Sequence, residues 1–186
     1  MKHQDAINLF EALHPNFFES EWIRSMPETH IFSELILDLN QDPLSPPPYP
    51  CPEGIGFGIY QGGLAPLQEA VAMVDENWVQ YFTPEKRIFC ARDEEGKILS
   101  FCILDDLGIH RIDGNLQRIA GPGCVGTIPT HEGRGIGLNL VYRATLLFSE
   151  EGYDYSYIHY TYLPDWYAKL GYRTILTWNG KLGYLK

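Results

Sequence analysis

Hydrophobic and polar positions alternate along the chain with two different periods, and these periods predict where strands and helices lie. In residues 55–59 the apolar side chains occupy every second position, which predicts a strand. Residues 64–82 and 135–151 instead carry apolar side chains at helical spacing, and Gly152 ends the second helix. The order of elements predicts an α/β (mixed α+β) fold with a central mixed, mainly antiparallel sheet flanked by helices. The other predicted elements are strands in 86–106, 118–129 and 153–162, a short helix in 164–171, and hairpins turning at Glu95-Gly96 and Asn179-Gly180.

The first part of the chain carries shorter apolar runs, which predict helices. Phe18, Trp22 and Met26 are spaced four apart and would share one face of a helix. A second apolar cluster, in residues 30–39, is likewise predicted to be helical. Such an apolar surface is too large to leave in water, so we expect these helices to dock on the rest of the protein.

A proline-rich stretch divides this N-terminal part from the remainder. Residues 40–54 contain six prolines, which exclude a regular helix or an internal strand. We therefore expect an extended connector. The predicted organisation is a helical N-terminal extension with this connector over residues 1–50, followed by one main domain over residues 54–186.

Composition and charge narrow the classes of function. The net charge of −10, from 24 acidic and 14 basic residues, argues against a nucleic-acid partner. It would suit a cationic substrate, and it is equally consistent with solubility alone. No apolar run approaches the roughly 20 residues of a membrane-spanning helix, and no signal-peptide core is present. The four cysteines form no CxxC pair, so we expect a reducing, cytoplasmic protein without a membrane partner.

A glycine-rich loop directly before the helix at 135–151 is the strongest chemical signal in the sequence. The GxGxxG match at residues 121–126 is not a dinucleotide site, because an extended segment follows it where that motif requires a helix. The Walker pattern also fails, because the loop lacks the Lys-Ser/Thr pair. What remains is a loop in which Gly133, Gly135 and Gly137 let backbone N–H groups approach an anion at the helix N-terminus. A ligand-free strand-to-helix turn is the alternative for such a loop alone.

Two motifs together resemble the GNAT N-acetyltransferase superfamily. The segment TIPTHEGRGIGLNLV, residues 127–141, is similar to its acyl-CoA signature, and WYAKLGYR, residues 166–173, is similar to its second motif. They occur in the family's order with one strand between them, and the resemblance covers roughly residues 54–186. The first 50 residues lie outside it.

The resemblance implies a binding mode for acetyl-CoA, used as a co-substrate without a metal. The strand before the loop would pair with the pantetheine arm, and the glycines there would relax it into a bulge whose N–H polarises the thioester carbonyl. The loop and first helical turn would hold the pyrophosphate. Tyr167 would protonate the departing thiolate or hold a hydrogen bond to it; the alternative is a packing residue. The implied cofactor-binding residues are Val125, Gly126, Thr127, Gly133, Arg134, Gly135, Ile136, Gly137 and Leu138.

Two positions depart from the family pattern. Glu132 stands where the family usually has Gln or Arg, and a carboxylate beside a pyrophosphate repels it unless it points away. The asparagine that often precedes the second motif is absent from residues 159–167. One cofactor contact is therefore unassigned.

The acceptor amine must lose a proton, and His159 is our first candidate for the base. Strand alternation places it on one face with Tyr155 and Tyr157, and its reference pKa of about 6.5 suits the task. A buried structural histidine is the alternative. Other candidates are Asp105, Asp106 and His110, which we expect on a loop after the third predicted strand, with a solvated or turn-forming role as the alternative. Cys124 is expected to be a small buried residue and not an acyl-carrying nucleophile.

The sequence thus predicts an N-acetyltransferase that moves an acetyl or other acyl group from acetyl-CoA to a primary amine by direct attack in a ternary complex. The acceptor would be a small-molecule or peptide amine, and a cationic one would suit the charge. The alternative is a non-catalytic acyl-CoA sensor on the same fold, because fold alone does not establish turnover. The N-terminal extension would either wall the acceptor side of the cleft or act as a stabilising cap.

Overall fold

The computed structural model describes residues 1–41 and 44–185, and within them the chain forms an eight-stranded sheet with helices on both faces. The order of strands across the sheet is β2-β3-β4-β5-β6-β1-β7-β8. The helices are α1 (His3–Leu13), α2 (Glu21–Arg24), α3 (Leu64–Ala72), α4 (Ile136–Glu150) and α5 (Pro164–Ala168). Short 3-10 helices lie at Phe17–Glu19, Glu76–Tyr81 and Pro129–His131. The strands are β1 (Phe32–Asp38), β2 (Gly56–Ile59), β3 (Ile88–Arg92), β4 (Ile98–Ile112), β5 (Asn115–Thr127), β6 (Tyr155–Thr161), β7 (Arg173–Asn179) and β8 (Gly183–Leu185).

The predicted mixed, mainly antiparallel sheet is confirmed. Neighbouring strands pair antiparallel except β5 and β6, which are parallel and pair only at Ile119–Tyr155 and Ala120–Ser156. The β3–β4 hairpin turns through Gly96, which has a left-handed φ of +85°, and the last hairpin turns after Asn179, as the sequence predicted. Helix α4 ends before Gly152, also as predicted.

One prediction is wrong: residues 30–39 are not helical. They contain β1, which lies between β6 and β7 and pairs antiparallel with both. Every residue of β1 is buried, so the strand lacks the alternation of buried and exposed positions that would have distinguished it from a buried helix. The N-terminal part of the chain therefore contributes a central strand to the sheet in addition to its helices.

The helices cover the sheet from its two sides. On β1 and β6, Leu35 and Ile158 face α4 and α5, whereas Ile36 and Tyr157 face α1 through Leu9. The largest part of the core lies between β3, β4, α3 and α4 and includes Phe101, the side chain of which is fully buried.

The predicted docking of the N-terminal segment is observed, although its apolar residues do not form one helical face. Ile23 and Met26 are buried against Trp178, while Trp22 is 61% exposed. Ile23 lies in the four-residue helix α2, whereas Met26 follows it. Of the predicted connector, residues 42 and 43 lie outside the described residues, and residues 44–54 form neither a helix nor a strand.

Candidate functional site

The parallel strands β5 and β6 part after a short paired stretch and leave a wedge-shaped opening. Beyond Ala120 and Ser156 no further pairs join them in the described residues, although β5 continues to Thr127 and β6 to Thr161. At the apex a Cβ placed on Gly121 would lie 2.2 Å from the carbonyl oxygen of Tyr157, so only glycine allows the strands to meet there. The edge of β5 in this opening can pair with an extended ligand.

A bulge interrupts each strand at the same level of the opening. In β5, the three-residue interval from Gly123 to Gly126 lies opposite a two-residue interval in β4, and Cys124 has φ +46°. In β6, three steps from Ile158 to Thr161 oppose two in β1, and Tyr160 has φ +58°. Non-glycine residues rarely adopt such backbone angles except where the surrounding structure imposes them, often at functional sites. The bulge expected in β5 is therefore present.

The glycine loop leads into α4 as the sequence predicted. Gly133 and Gly135 have φ of +72° and +78°, and Gly135 is the N-cap of α4. The first helical bond runs from Asn139 N–H to the Gly135 carbonyl, 3.1 Å, so the N–H groups of Ile136, Gly137 and Leu138 donate to no backbone acceptor among the described residues. Such free donors at the positive end of a helix fit a pyrophosphate.

The surroundings of the loop leave an approach for an anion. A Cβ added at Gly133 would meet nothing within 4 Å, and Arg134 and Glu132 are both exposed. The connector lies along the other side, where the Nδ2 of Asn139 donates to the Tyr49 carbonyl at 3.3 Å. The loop is therefore open at Gly133, and it carries one acidic side chain, Glu132, and one basic side chain, Arg134.

Tyr167 lies next to the first turn of α4, under the opening. It is buried in a cluster with Leu138 and Ile158, and Val125 packs against the same cluster. Burial raises the pKa of the Tyr167 phenol above its ordinary value of 10, so the hydroxyl stays protonated at neutral pH. The structure thus brings Tyr167 together with members of both predicted cofactor-binding segments.

The remaining predicted cofactor-binding residues lie in the same region. A Cβ on Gly137 would lie 2.8 Å from Thr127 Oγ1 and 3.6 Å from the Trp166 ring, so helix, strand and α5 converge there. A Cβ on Gly126 would lie 2.5 Å from the Phe101 ring, which explains why glycine is required at that point of β5. Ile136 is buried in the main core, so only its backbone is available to a ligand.

His159 lies on the opposite face of the sheet from Tyr167 and is not brought into contact with it. Its Nδ1 is 2.9 Å from Oε2 of Glu34, a residue of β1 that is fully buried. Glu34 also accepts hydrogen bonds from Tyr157 Oη at 2.6 Å and Trp178 Nε1 at 2.7 Å. With these donors the carboxylate acts as the acceptor, so Nδ1 of His159 donates the hydrogen bond to Glu34.

Glu34 is the residue of this site that the sequence analysis missed. The cause was the prediction of a helix over 30–39, which gave no reason to place a carboxylate beside His159. A signal was present, since a single Glu inside the apolar run Phe32–Leu37 is costly unless it is hydrogen-bonded. Each of its oxygens accepts at least one short hydrogen bond.

The other candidate bases lie within β4, not on a loop as expected from the sequence. Asp105 forms an ion pair with Lys86 at 2.8 Å. Asp106 accepts from the Gly108 N–H at 2.9 Å, and the Nε2 of His110 is 2.7 Å from the Leu107 carbonyl. Asp106 and His110 therefore stabilise the bulged part of β4 itself.

Cys124 is a thiol at neutral pH. Burial, and then the nearby Asp105 carboxylate, raise the pKa of the Cys124 thiol to about 11. Because the thiolate is the nucleophilic form, this environment disfavours Cys124 as a nucleophile.

Two surface hollows lie away from the α4 loop, on the N-terminal side of the sheet. One of about 380 Å³ includes His14, Phe17 and Glu11 in its lining, and another of about 690 Å³ includes Arg24 and Tyr184. We locate the anion site from the unengaged N–H groups, because a helix N-terminus binds phosphate groups at an open surface. In residues 1–41 and 44–185 no three or more His, Cys, Asp or Glu side chains are grouped to hold a metal ion. None of the helices there has the length and apolarity to cross a bilayer.

The strand order, the parted parallel strands and the glycine loop entering α4 define the fold of the GCN5-related N-acetyltransferases. This fold is found among solved structures that superpose on most of the chain. No protein-family model and no curated protein sequence matches the chain.

Three of these solved structures illustrate the similarity. A glucosamine N-acetyltransferase region of a fungal multi-domain GH3 beta-N-acetylglucosaminidase superposes with a TM-score of 0.65 and 23% identity over 84% of this chain. GCN5-related N-acetyltransferases from Kribbella flavida and Sphaerobacter thermophilus each give 0.53, with 19% and 18% identity over 80% and 91% of this chain. The matches cover only 21%, 56% and 52% of those three chains. At these identities the comparisons establish the fold.

Proposed function

We propose that the protein is an N-acyltransferase that transfers an acyl group, acetyl in the first instance, from acyl-CoA to a primary amine. The observation that carries the proposal is the set of free N–H groups at Ile136, Gly137 and Leu138, which lies beside the opening between β5 and β6 with Tyr167 beneath it. An anion-binding helix start next to an unpaired strand edge suits a ligand with a pyrophosphate and an extended amide arm.

When bound, acetyl-CoA would supply an activated acetyl group as a thioester. The N–H groups of the first turn of α4 would bind its pyrophosphate, and the unpaired edge of β5 would orient its arm. The bulge at Cys124 would direct a backbone N–H into the opening, where it stabilises negative charge. Tyr167, which stays protonated, would donate a hydrogen bond to the sulfur.

The amine would be deprotonated by His159. The proton would move from the amine nitrogen to Nε2 of His159, while Nδ1–H stays hydrogen-bonded to Glu34. The Glu34 carboxylate would stabilise the imidazolium that forms. His159 and Tyr167 lie on opposite faces of the sheet, so we propose that base and acid act on the opening from its two sides. The acceptor remains a small-molecule or peptide amine, and the acidic chain favours a cationic one.

Binding of acetyl-CoA is tested by calorimetry on Gly135→Asp and Gly135→Asn. Both residues are among those that tolerate left-handed φ, and a Cβ there would meet its nearest neighbour at 3.5 Å, so both should fold. Only Asp adds a negative charge at the N–H groups. We expect Asp to abolish binding and Asn to weaken it severalfold; unchanged affinity in folded Gly135→Asp would contradict the site.

Turnover is tested by thiol release from acetyl-CoA with a panel of amines. The panel holds polyamines, aminoglycosides, amino acids, peptides and glucosamine, the last because one structural neighbour is a glucosamine N-acetyltransferase region. Release that depends on an amine excludes a pure acyl-CoA sensor. Tight acetyl-CoA binding without release for any amine would favour the sensor.

A further inference from the structure

A second histidine from the N-terminal segment lies flat against His159. His14 follows α1 directly, and its N–H donates to the Phe10 carbonyl at 2.8 Å. The centroids of the two imidazole rings are 3.7 Å apart and their planes differ by 17°, which is a stacked arrangement. The stack joins a residue outside the family resemblance to the proposed base.

Hydrogen bonding does not account for the position of His14. Its Nε2 is buried and has no hydrogen-bond partner among the described residues. A buried polar atom without a partner lowers stability, so an unpaired one in a native protein calls for a reason. The ring contact with His159 is the closest aromatic contact that His14 makes among those residues, since Phe10, Phe17 and Tyr157 are all more than 5 Å away.

The stacked ring is neutral under physiological conditions. Burial, and then the neighbouring His159, lower the pKa of His14 from 6.5 to about 3. The other titratable groups around the pair include Glu34 of β1, Tyr157 and Tyr160 of β6, and Tyr184, whose hydroxyl donates to Glu11 of α1. The ring that packs on the face of His159 is therefore uncharged, while the Glu34 carboxylate contacts Nδ1 at the edge of the same ring.

A single hydrogen bond does not fix the orientation of an imidazole ring, and a catalytic base must be held in one orientation. With only the Glu34 contact at Nδ1, the ring of His159 can still rock about that bond, and the lone pair on Nε2 would sweep over a range of directions. A flat ring at van der Waals distance restricts the tilt of the plane. Orientation of this kind contributes to rate because a small misplacement of a catalytic group is costly.

We propose that His14 is a positioning residue for His159: its ring fixes the plane of the His159 imidazole so that Nδ1–H stays on Glu34 and the Nε2 lone pair points in one direction. The proposal rests on the proposed function, in which His159 is the base. It assigns the N-terminal segment a part in the site itself, through Glu34 and His14 together.

The test uses the full chain with ¹⁵N-labelled histidine, and two-bond ¹⁵N–¹H spectra report which ring nitrogen carries the proton. A His159→Gln variant identifies the His159 signals. At about pH 8 we expect wild type and His14→Phe, which keeps a flat ring, to hold His159 as a single Nδ1–H tautomer. His14→Leu fills the space without a ring and should broaden the His159 signals, because the ring then tilts among orientations while Glu34 still holds Nδ1–H.

Phe18→Leu is the matched control. Phe18 belongs to the same aromatic surroundings and stacks on Phe10 at 5.7 Å, but it makes no ring contact with His159 among the described residues. It should lose packing without broadening the His159 signals. If His14→Leu does not melt cooperatively, His14→Met replaces it, because its flexible side chain fills the same space.

Activity gives a second, separate readout. With an amine from the panel, His14→Leu should lower kcat about tenfold at unchanged KM for acetyl-CoA, and His14→Phe should stay within about twofold of wild type. His159 signals as narrow in His14→Leu as in wild type would overturn the proposal, as would an unchanged kcat. If no amine supports turnover in wild type, acyl transfer is contradicted, and the widths of the His159 signals alone decide whether His14 holds the ring.

Discussion

At the scale of single residues, a comparison of Tyr167 with Tyr172 tests whether the Tyr167 hydroxyl takes part in catalysis or the side chain only packs. Both side chains belong to one buried cluster, but Tyr172 Oη lies 2.8 Å from Thr145 Oγ1 and 2.6 Å from Ser156 Oγ, while no side-chain hydrogen bond engages Tyr167 among the described residues. A hydroxyl that the protein does not engage is available to a ligand.

We therefore expect Tyr167→Phe to lower kcat by roughly tenfold to a thousandfold, the range that general acids supply, with acetyl-CoA affinity within a few-fold of wild type. Tyr172→Phe should do the reverse, losing stability by about 1 kcal/mol per hydrogen bond while keeping its kcat. Steady-state kinetics with calorimetry and urea unfolding measure the two effects. A wild-type kcat in Tyr167→Phe would make it a packing residue.

His14 also makes a prediction about stability and pH. Its pKa is about 3 in the folded protein and near 6.5 when unfolded, so between these values the unfolded chain binds a proton that the folded chain does not. Stability from this group is complete above about pH 6.5 and is lost as the pH falls. Between about pH 7 and about pH 5 the Tm of wild type should therefore fall further than the Tm of His14→Phe. The difference should be about 2–4 °C, on the order of 1 kcal/mol after allowing for the partial exposure of His14. An identical pH dependence would mean that His14 titrates freely.

At the scale of elements, the apex of the opening depends on Gly121. A methyl group there would lie 2.2 Å from the Tyr157 carbonyl oxygen and would push β5 and β6 apart at their last contact. Gly121→Ala should lower the free energy of unfolding by about 1–3 kcal/mol. Gly58→Ala in β2 is the control, because a Cβ there meets nothing within 4 Å, and it should stay within about 0.5 kcal/mol. Urea unfolding of both compares them; equal stabilities would mean that the apex relaxes.

The elements also show how far the sequence could predict this protein. The loop and α4 were predictable because Gly133 and Gly135 mark positive φ in front of a clear helical period. The Glu34–His159 contact was not, since these residues are 125 apart in sequence and belong to neighbouring strands. A strand buried on both faces, such as β1, has no period-2 pattern to identify it. The roles of Tyr167 and His159 remain predictions from the sequence and the resemblance.

At the scale of the whole molecule, the position of β1 bears on the predicted division at residues 1–50 and 54–186. Strand β1 separates β6 from β7 and pairs with both over most of its length. Its side chains Leu35 and Leu37 belong to the cluster around Tyr167, while Ile36 belongs to the one under α1. Removing β1 would leave two strand edges unpaired in the middle of the sheet and open both clusters.

We therefore expect a fragment that lacks residues 1–40 to fail to fold as a unit. It would lose the antiparallel partners of β6 and β7, and Trp178 and Tyr157 would lose the covering of α1 and the hydrogen bonds to Glu34. Circular dichroism with thermal melting measures this, and the full chain is the reference. The expected result is no cooperative transition and no acetyl-CoA binding. A fragment that melts cooperatively and binds acetyl-CoA would show that residues 41–186 fold independently. It would then separate the two parts of the site, because this fragment contains the α4 loop and Tyr167 but neither Glu34 nor His14.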